Sequence, residues 1–146
     1  MKFFPTLTSI VLGLSTFVFA SSAKQYSYFD MKKLSEGLVD GTAPADTVLI
    51  DVREPSEYAL GFIPGAHNMP LKSQGFALCK SPEEFESLLG FPKPSVDQHV
   101  VFYCQTGVRA RVAEQQGEHC GYENRGIYLG SWKEWSELEA EVGQCA

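Results

Sequence analysis

Val100-Val101-Phe102-Tyr103-Cys104-Gln105-Thr106-Gly107-Val108-Arg109 decides how this chain is read. The first four residues are an apolar run without polar alternation, the pattern of a strand buried on both faces. Cys104 follows at the strand end. The residues from Arg109 to Cys120 then read as a helix with Gly121 as its stop. A strand that delivers a side chain into a short loop and continues as a helix is the unit of an α/β fold. Ligands meet such sheets beyond the carboxyl ends of the strands, so the thiol stands where a substrate would arrive.

Working outward, the same alternation recurs. Towards the N-terminus, Tyr26 to Phe29 reads as a short strand, and Asp30 as the N-cap of a helix from Met31 to Leu38. Thr47-Val48-Leu49-Ile50 is a second apolar strand, ending at Asp51-Val52-Arg53. Pro55 opens a short helix through Leu60 that Gly61 stops, and Phe62-Ile63-Pro64-Gly65 turns into an extended piece from Ala66 to Met69. Ser81-Pro82-Glu83-Glu84 is a capping box, and its helix places Phe85, Leu88 and Leu89 on one face before Gly90. After the Phe91-Pro92-Lys93-Pro94 linker comes the cysteine-bearing strand, His99 to Tyr103. Gly126 to Leu129 is a last strand, and Gly130-Ser131 caps a helix carrying Trp132 and Trp135 as core anchors. The expectation is an α/β protein with a mostly parallel central sheet and helices on both faces. The helix after Cys104 has a thin apolar stripe of Val112, Ala113 and Cys120. Its Gly117 reads either as a helix-weakening residue or as a site of close helix–sheet approach.

Composition narrows the classes. The chain has 146 residues, enough for one domain with a core of its own. Its net charge of −6 argues against nucleic acid as a partner. Glu134, Glu137, Glu139 and Glu141 read as a solvated helix face. Residues 1–20, with Lys2 before a largely apolar stretch and Val18-Phe19-Ala20 before a cleavage point, read as a secretory signal peptide. A mitochondrial presequence and an uncleaved anchor are the alternatives. The domain proper is expected over residues 26–140. Four cysteines remain, Cys79, Cys104, Cys120 and Cys145, without a Cys-x-x-Cys. Cys120 reads as a small apolar residue, and a pairing of Cys79 with Cys145 would leave Cys104 free. His67, His99 and His119 have no metal-ligand spacing, and no metal is expected.

The chemistry centres on Cys104. A loop curling at a helix start turns backbone N–H groups inward and makes an anion cradle. Gly107 gives that loop positive φ at low cost, and Arg109 adds a fixed charge. A cysteine so placed can have its pKa lowered from about 8.5 towards 7, which makes a thiolate, the nucleophilic form. Asp51 and Arg53, both at the end of a neighbouring strand, read as a buried supporting pair.

In order along the chain, Asp51-Val52-Arg53-Glu54-Pro55-Ser56-Glu57-Tyr58, Gly61-Phe62-Ile63-Pro64-Gly65-Ala66-His67-Asn68, Cys104 to Arg109, Gly121-Tyr122 and Gly130-Ser131-Trp132-Lys133-Glu134-Trp135 resemble a rhodanese domain. Phe62 departs from the histidine often found there, a packing change. The resemblance implies a rhodanese-like three-layer sandwich of the single-domain thiosulfate sulfurtransferase type. It implies that Cys104 takes the sulfane sulfur of thiosulfate as a persulfide and passes it to glutathione, thioredoxin or cyanide, with no cofactor. Gln105, Thr106, Gly107, Val108 and Arg109 would bind the donor, and Asp51 and Arg53 would support the loop. A protein-to-protein persulfide carrier or interaction module is the alternative. A phosphatase or arsenate reductase fits less well, because the related phosphatases have Cys-x5-Arg and Ala110 stands at that spacing. No feature of the sequence sets an oligomeric state.

Overall fold

A computed structural model describes residues 22–144. The leader segment and Cys145 lie outside the described residues. Among the described residues five strands form one sheet: β1 (Lys24–Tyr26), β2 (Thr47–Asp51), β3 (His67–Asn68), β4 (His99–Tyr103) and β5 (Arg125–Tyr128). Their order is β1-β5-β4-β2-β3, and all the pairings are parallel. β4 is central and pairs residue for residue with β2, Ile50 opposite Phe102 and Asp51 opposite Tyr103.

Among the described residues there are five α-helices: α1 (Tyr28–Asp40), α2 (Pro55–Tyr58), α3 (Pro82–Leu89), α4 (Val108–His119) and α5 (Ser131–Gln144). Because strand side chains alternate, each strand feeds two cores. On one face Leu49, Val101, Tyr103 and Tyr128 pack with Met31 and Leu34 of α1 and Trp135 of α5. On the other, Ile50, Val100, Phe102 and Ile127 pack with Phe85 of α3 and Ala110 and Ala113 of α4. This is the three-layer α/β architecture expected, with a sheet that is parallel throughout.

Several local expectations are corrected. The first strand ends at Tyr26, and Tyr28 already belongs to α1. The cap of α1 is Ser27, whose hydroxyl accepts from the Asp30 amide. Asp30 is the third helical residue, its carboxylate accepting from the Ser27 amide. The two residues form a capping box, and only one of them stands outside the helix. In α3 only Phe85 is buried, and Leu88 is half exposed. The buried face of α4 is Ala110, Ala113 and Gly117, whereas Val112 faces solvent. A Cβ on Gly117 would meet the Phe102 ring at 3.3 Å, so close approach of α4 to the sheet is the reading the structure favours for this glycine.

Cys120 is not a free core cysteine. It bonds Cys79, which lies in a 3₁₀ turn, Ala77–Cys79, that the sequence did not suggest. Cys120 stands at the C-cap of α4, within reach of that turn. The Phe76 amide donates to Gln116 Oε1 on α4, and the Phe76 ring meets His119 edge-on. Among the described residues Cys104 is the free cysteine.

Candidate active site

The 104–107 loop joins β4 to α4 and is held by the start of α5. The Trp132 amide donates to the Cys104 carbonyl at 2.9 Å and the Lys133 amide to the Gln105 carbonyl at 3.0 Å. First-turn amides of a helix lack intrahelical acceptors, so α5 satisfies its own orphan donors by fixing the loop. Ser131, fully buried, accepts from the Cys104 amide at 3.2 Å and donates to the Tyr128 carbonyl at 2.9 Å. The first two residues of the loop are therefore fixed by α5 through the Cys104 and Gln105 carbonyls and through the Cys104 amide.

Gly107 closes the loop in the left-handed region, φ 94°. A Cβ there would lie 2.7 Å from the Leu129 carbonyl oxygen, so no larger residue fits. Its amide donates to Cys104 Sγ at 3.0 Å. A donor aimed at sulfur favours the anionic form of the thiol and also that of a persulfide. Cys104 itself is 1% exposed, so the reacting partner must bring a small or protruding atom into the loop. Around it Gln105 is half-buried, while Thr106 and Val108 face solvent. The first amides of α4 point out of the helix start beside the thiol.

Arg109, the second residue of α4, does not stand alone. Its Nη1 and Nη2 each donate at 2.7 Å to the two carboxylate oxygens of Glu57 on α2. Those hydrogen bonds are the main cause that brings the Glu57 carboxyl down to about 2, and they raise the Arg109 pKa as well. Attraction between Arg109 and the Cys104 sulfur also contributes to the latter shift.

Asp51 and Arg53 meet each other beneath this rim. Arg53 Nη2 and Nε donate to the Asp51 carboxylate, the shortest contact being 2.6 Å, and both side chains are buried. Burial opposes the Arg53 charge, yet the Asp51 hydrogen bonds and charge outweigh it and raise the pKa. The same guanidinium donates to the Gly61 carbonyl at 2.7 Å and the Glu57 carbonyl at 3.4 Å, and lies 4.9 Å from the Trp132 ring centroid. Asn68 Nδ2 donates to the backbone carbonyls of both Asp51 and Arg53. Behind them the Tyr103 hydroxyl accepts from the Ile63 amide, and burial, with the Asp51 charge added, pushes its pKa far up. The pair therefore braces α2 and the turn after it.

Two contributors escaped the sequence reading. Glu57 lies 52 residues from Arg109, and nothing in the local pattern marks it as a partner. Ser131 reads as a helix cap, but its hydroxyl faces the Cys104 amide 27 residues away. The three histidines are dispersed: His67 stacks on Phe91, His99 bonds Tyr26 and Asn124, and His119 abuts Phe76.

A family model described as a rhodanese-like domain matches residues 30–138. The thiosulfate:glutathione sulfurtransferase of Saccharomyces cerevisiae is 38% identical over 115 residues, covering 79% of each chain. A putative mitochondrial thiosulfate sulfurtransferase of Schizosaccharomyces pombe is 39% identical over 129 residues, covering 88% of this chain and 91% of that one. Among solved structures, the single-domain sulfurtransferase RDL2 of S. cerevisiae superposes with a TM-score of 0.75 at 35% identity, over 82% of this chain and 94% of that one.

Proposed function

This chain belongs to the rhodanese-like domain family, and from that membership we propose that it is a thiosulfate sulfurtransferase working through Cys104. The domain expected over residues 26–140 is supported by the family match to 30–138, and β1 extends it to Lys24 at the sheet edge. The observation that carries the reading is the Gly107 amide aimed at Cys104 Sγ inside a loop whose Cys104 and Gln105 carbonyls are fixed by α5.

The Cys104 thiolate attacks the outer sulfur of thiosulfate. A sulfur–sulfur bond forms as the bond to the sulfonate sulfur breaks, and sulfite leaves with that electron pair. The product is a persulfide anion on Cys104, stabilised by the Gly107 amide and by the cradle of residues Gln105 to Arg109. A thiol acceptor then takes the outer sulfur, becomes a persulfide itself and returns Cys104 as thiolate. Glutathione is the acceptor best supported, since a relative at 38% identity carries it in its name. Thioredoxin and cyanide are the other acceptors to compare. No step calls for a cofactor or a metal.

The destination of the chain is read from two observations. The S. pombe relative is named mitochondrial, which supports the leader at residues 1–20 as a presequence. The Cys79–Cys120 disulfide supports an oxidising compartment, which a secretory signal would supply. Sequencing the N-terminus of the mature protein from fractionated cells separates these.

Sulfite release from thiosulfate, measured with glutathione, thioredoxin and cyanide in turn, tests the activity. Release is expected with glutathione and is expected to vanish in Cys104→Ser. Release that survives in Cys104→Ser contradicts the reading.

A further inference from the structure

We propose that Glu57 is a positioning residue for Arg109, holding the guanidinium at the lip of the Cys104 loop so that the donor anion meets an arginine already oriented. The inference rests on the sulfurtransferase reading for the identity of the donor. The geometry behind it stands independently.

Arg109 leaves α4 at its second residue, where an arginine side chain has long reach and many rotamers. Two parallel N–H···O contacts of 2.7 Å select one of those arrangements. Glu57 is itself fixed. Its Oε2 accepts from the Glu54 amide at 3.1 Å in the capping box of α2, and its carbonyl accepts from Arg53, which is anchored on Asp51. Orientation therefore passes from the buried Asp51–Arg53 pair to α2, from α2 to Glu57, and from Glu57 to Arg109. A guanidinium has five N–H donors, and the pair uses two of them. The other three are not used by Glu57. The side chains of Arg109 and Glu57 are 19% and 34% exposed, so the pair stands at the boundary that an arriving anion crosses. The Glu57 charge also offsets that of Arg109. Recognition at the lip then depends on directed N–H groups more than on net positive field, and misorienting the fork is costly.

Sulfate serves as a non-reacting anion probe. Its binding is read as protection of Cys104 from iodoacetamide, alongside KM and kcat for thiosulfate. Glu57→Ala is expected to weaken sulfate protection and raise KM by about tenfold, equivalent to about 1.4 kcal/mol, with kcat changed by less than about twofold. Glu57→Asp keeps the charge but loses the two-point reach, and it is expected to weaken protection in the same direction. Glu57→Gln keeps the length but offers one acceptor and turns a donor towards the other Arg109 nitrogen, and it is expected to recover little of the loss. In an Arg109→Ala background, Glu57→Ala is expected to add nothing. The proposal is overturned if Glu57→Ala lowers thermal stability but leaves sulfate protection unchanged, or if it weakens protection equally without Arg109. Absence of sulfite release by the unsubstituted protein would remove the sulfurtransferase reading, and the sulfate measurement would still decide the role of Glu57.

Discussion

At the scale of single residues, Gly107 and Glu57 make opposite demands on the reader of a sequence. Gly107 sits three residues from the thiol it serves, and only a residue without Cβ fits its φ of 94° beside the Leu129 carbonyl. Such a local requirement can be seen in chain order. Gly107→Ala must move the loop, and it is expected to destabilise the protein by about 1–3 kcal/mol and to slow sulfite release by about a hundredfold. Chemical denaturation and steady-state assay check the two halves separately. Glu57 becomes visible only when α2 and α4 are brought side by side by the fold. Its carboxyl falls from 4.5 to about 2, chiefly through the Arg109 hydrogen bonds. A folded pKa below the unfolded one means that the contribution to stability is whole above pH 4.5 and is lost as the pH falls through about 2. Glu57→Gln is therefore expected to flatten the stability profile over that interval, measured by denaturant titration at stepped pH. An unchanged profile would contradict the pairing.

At the scale of elements, strands and helix stops are legible wherever the pattern is local. The apolar runs at Thr47–Asp51 and His99–Tyr103 are strands because both of their faces are covered. Helix starts are harder. Ser27 and Asp30 satisfy each other's amides, so either looks like a cap until the backbone shows which lies outside the helix. Ser27→Ala is expected to cost about 1 kcal/mol, read as a lowered Tm. Cysteine pairing was beyond the sequence for a different reason, since the partner of Cys120 depends on where the segment after β3 crosses α4. The Cys79–Cys120 bond closes a separation of 41 residues, and the Phe76–Gln116 contact lies beside it. Replacing both cysteines with serine is expected to destabilise the protein by about 2–4 kcal/mol, with the difference vanishing once a reductant is added to the parent protein. An equal stability without reductant would mean that the bond constrains nothing.

At the scale of the whole molecule, the sheet order β1-β5-β4-β2-β3 puts the cysteine-bearing strand in the centre, with the strand carrying Asp51 directly beside it. The two cores on either face hold β4 rigid, and α5 reaches across from β5 to clamp the loop that β4 feeds. A buried ion pair then links the sheet to the rim. Arg53→Met is expected to strand the Asp51 carboxylate and cost about 3–5 kcal/mol, whereas replacing both partners with apolar residues is expected to cost less. Fold class was readable because alternation of apolar runs and capped helices is itself a whole-chain property. The coupling of loop, rim and buried pair was not, because it is written in contacts between distant segments.

The most direct test of the account is intact and peptide mass after a single exposure to thiosulfate. A gain of about 32 Da is expected, confined to the peptide carrying Cys104 and lost again on addition of glutathione. Unmodified Cys104, or sulfur found only on another cysteine, would contradict it.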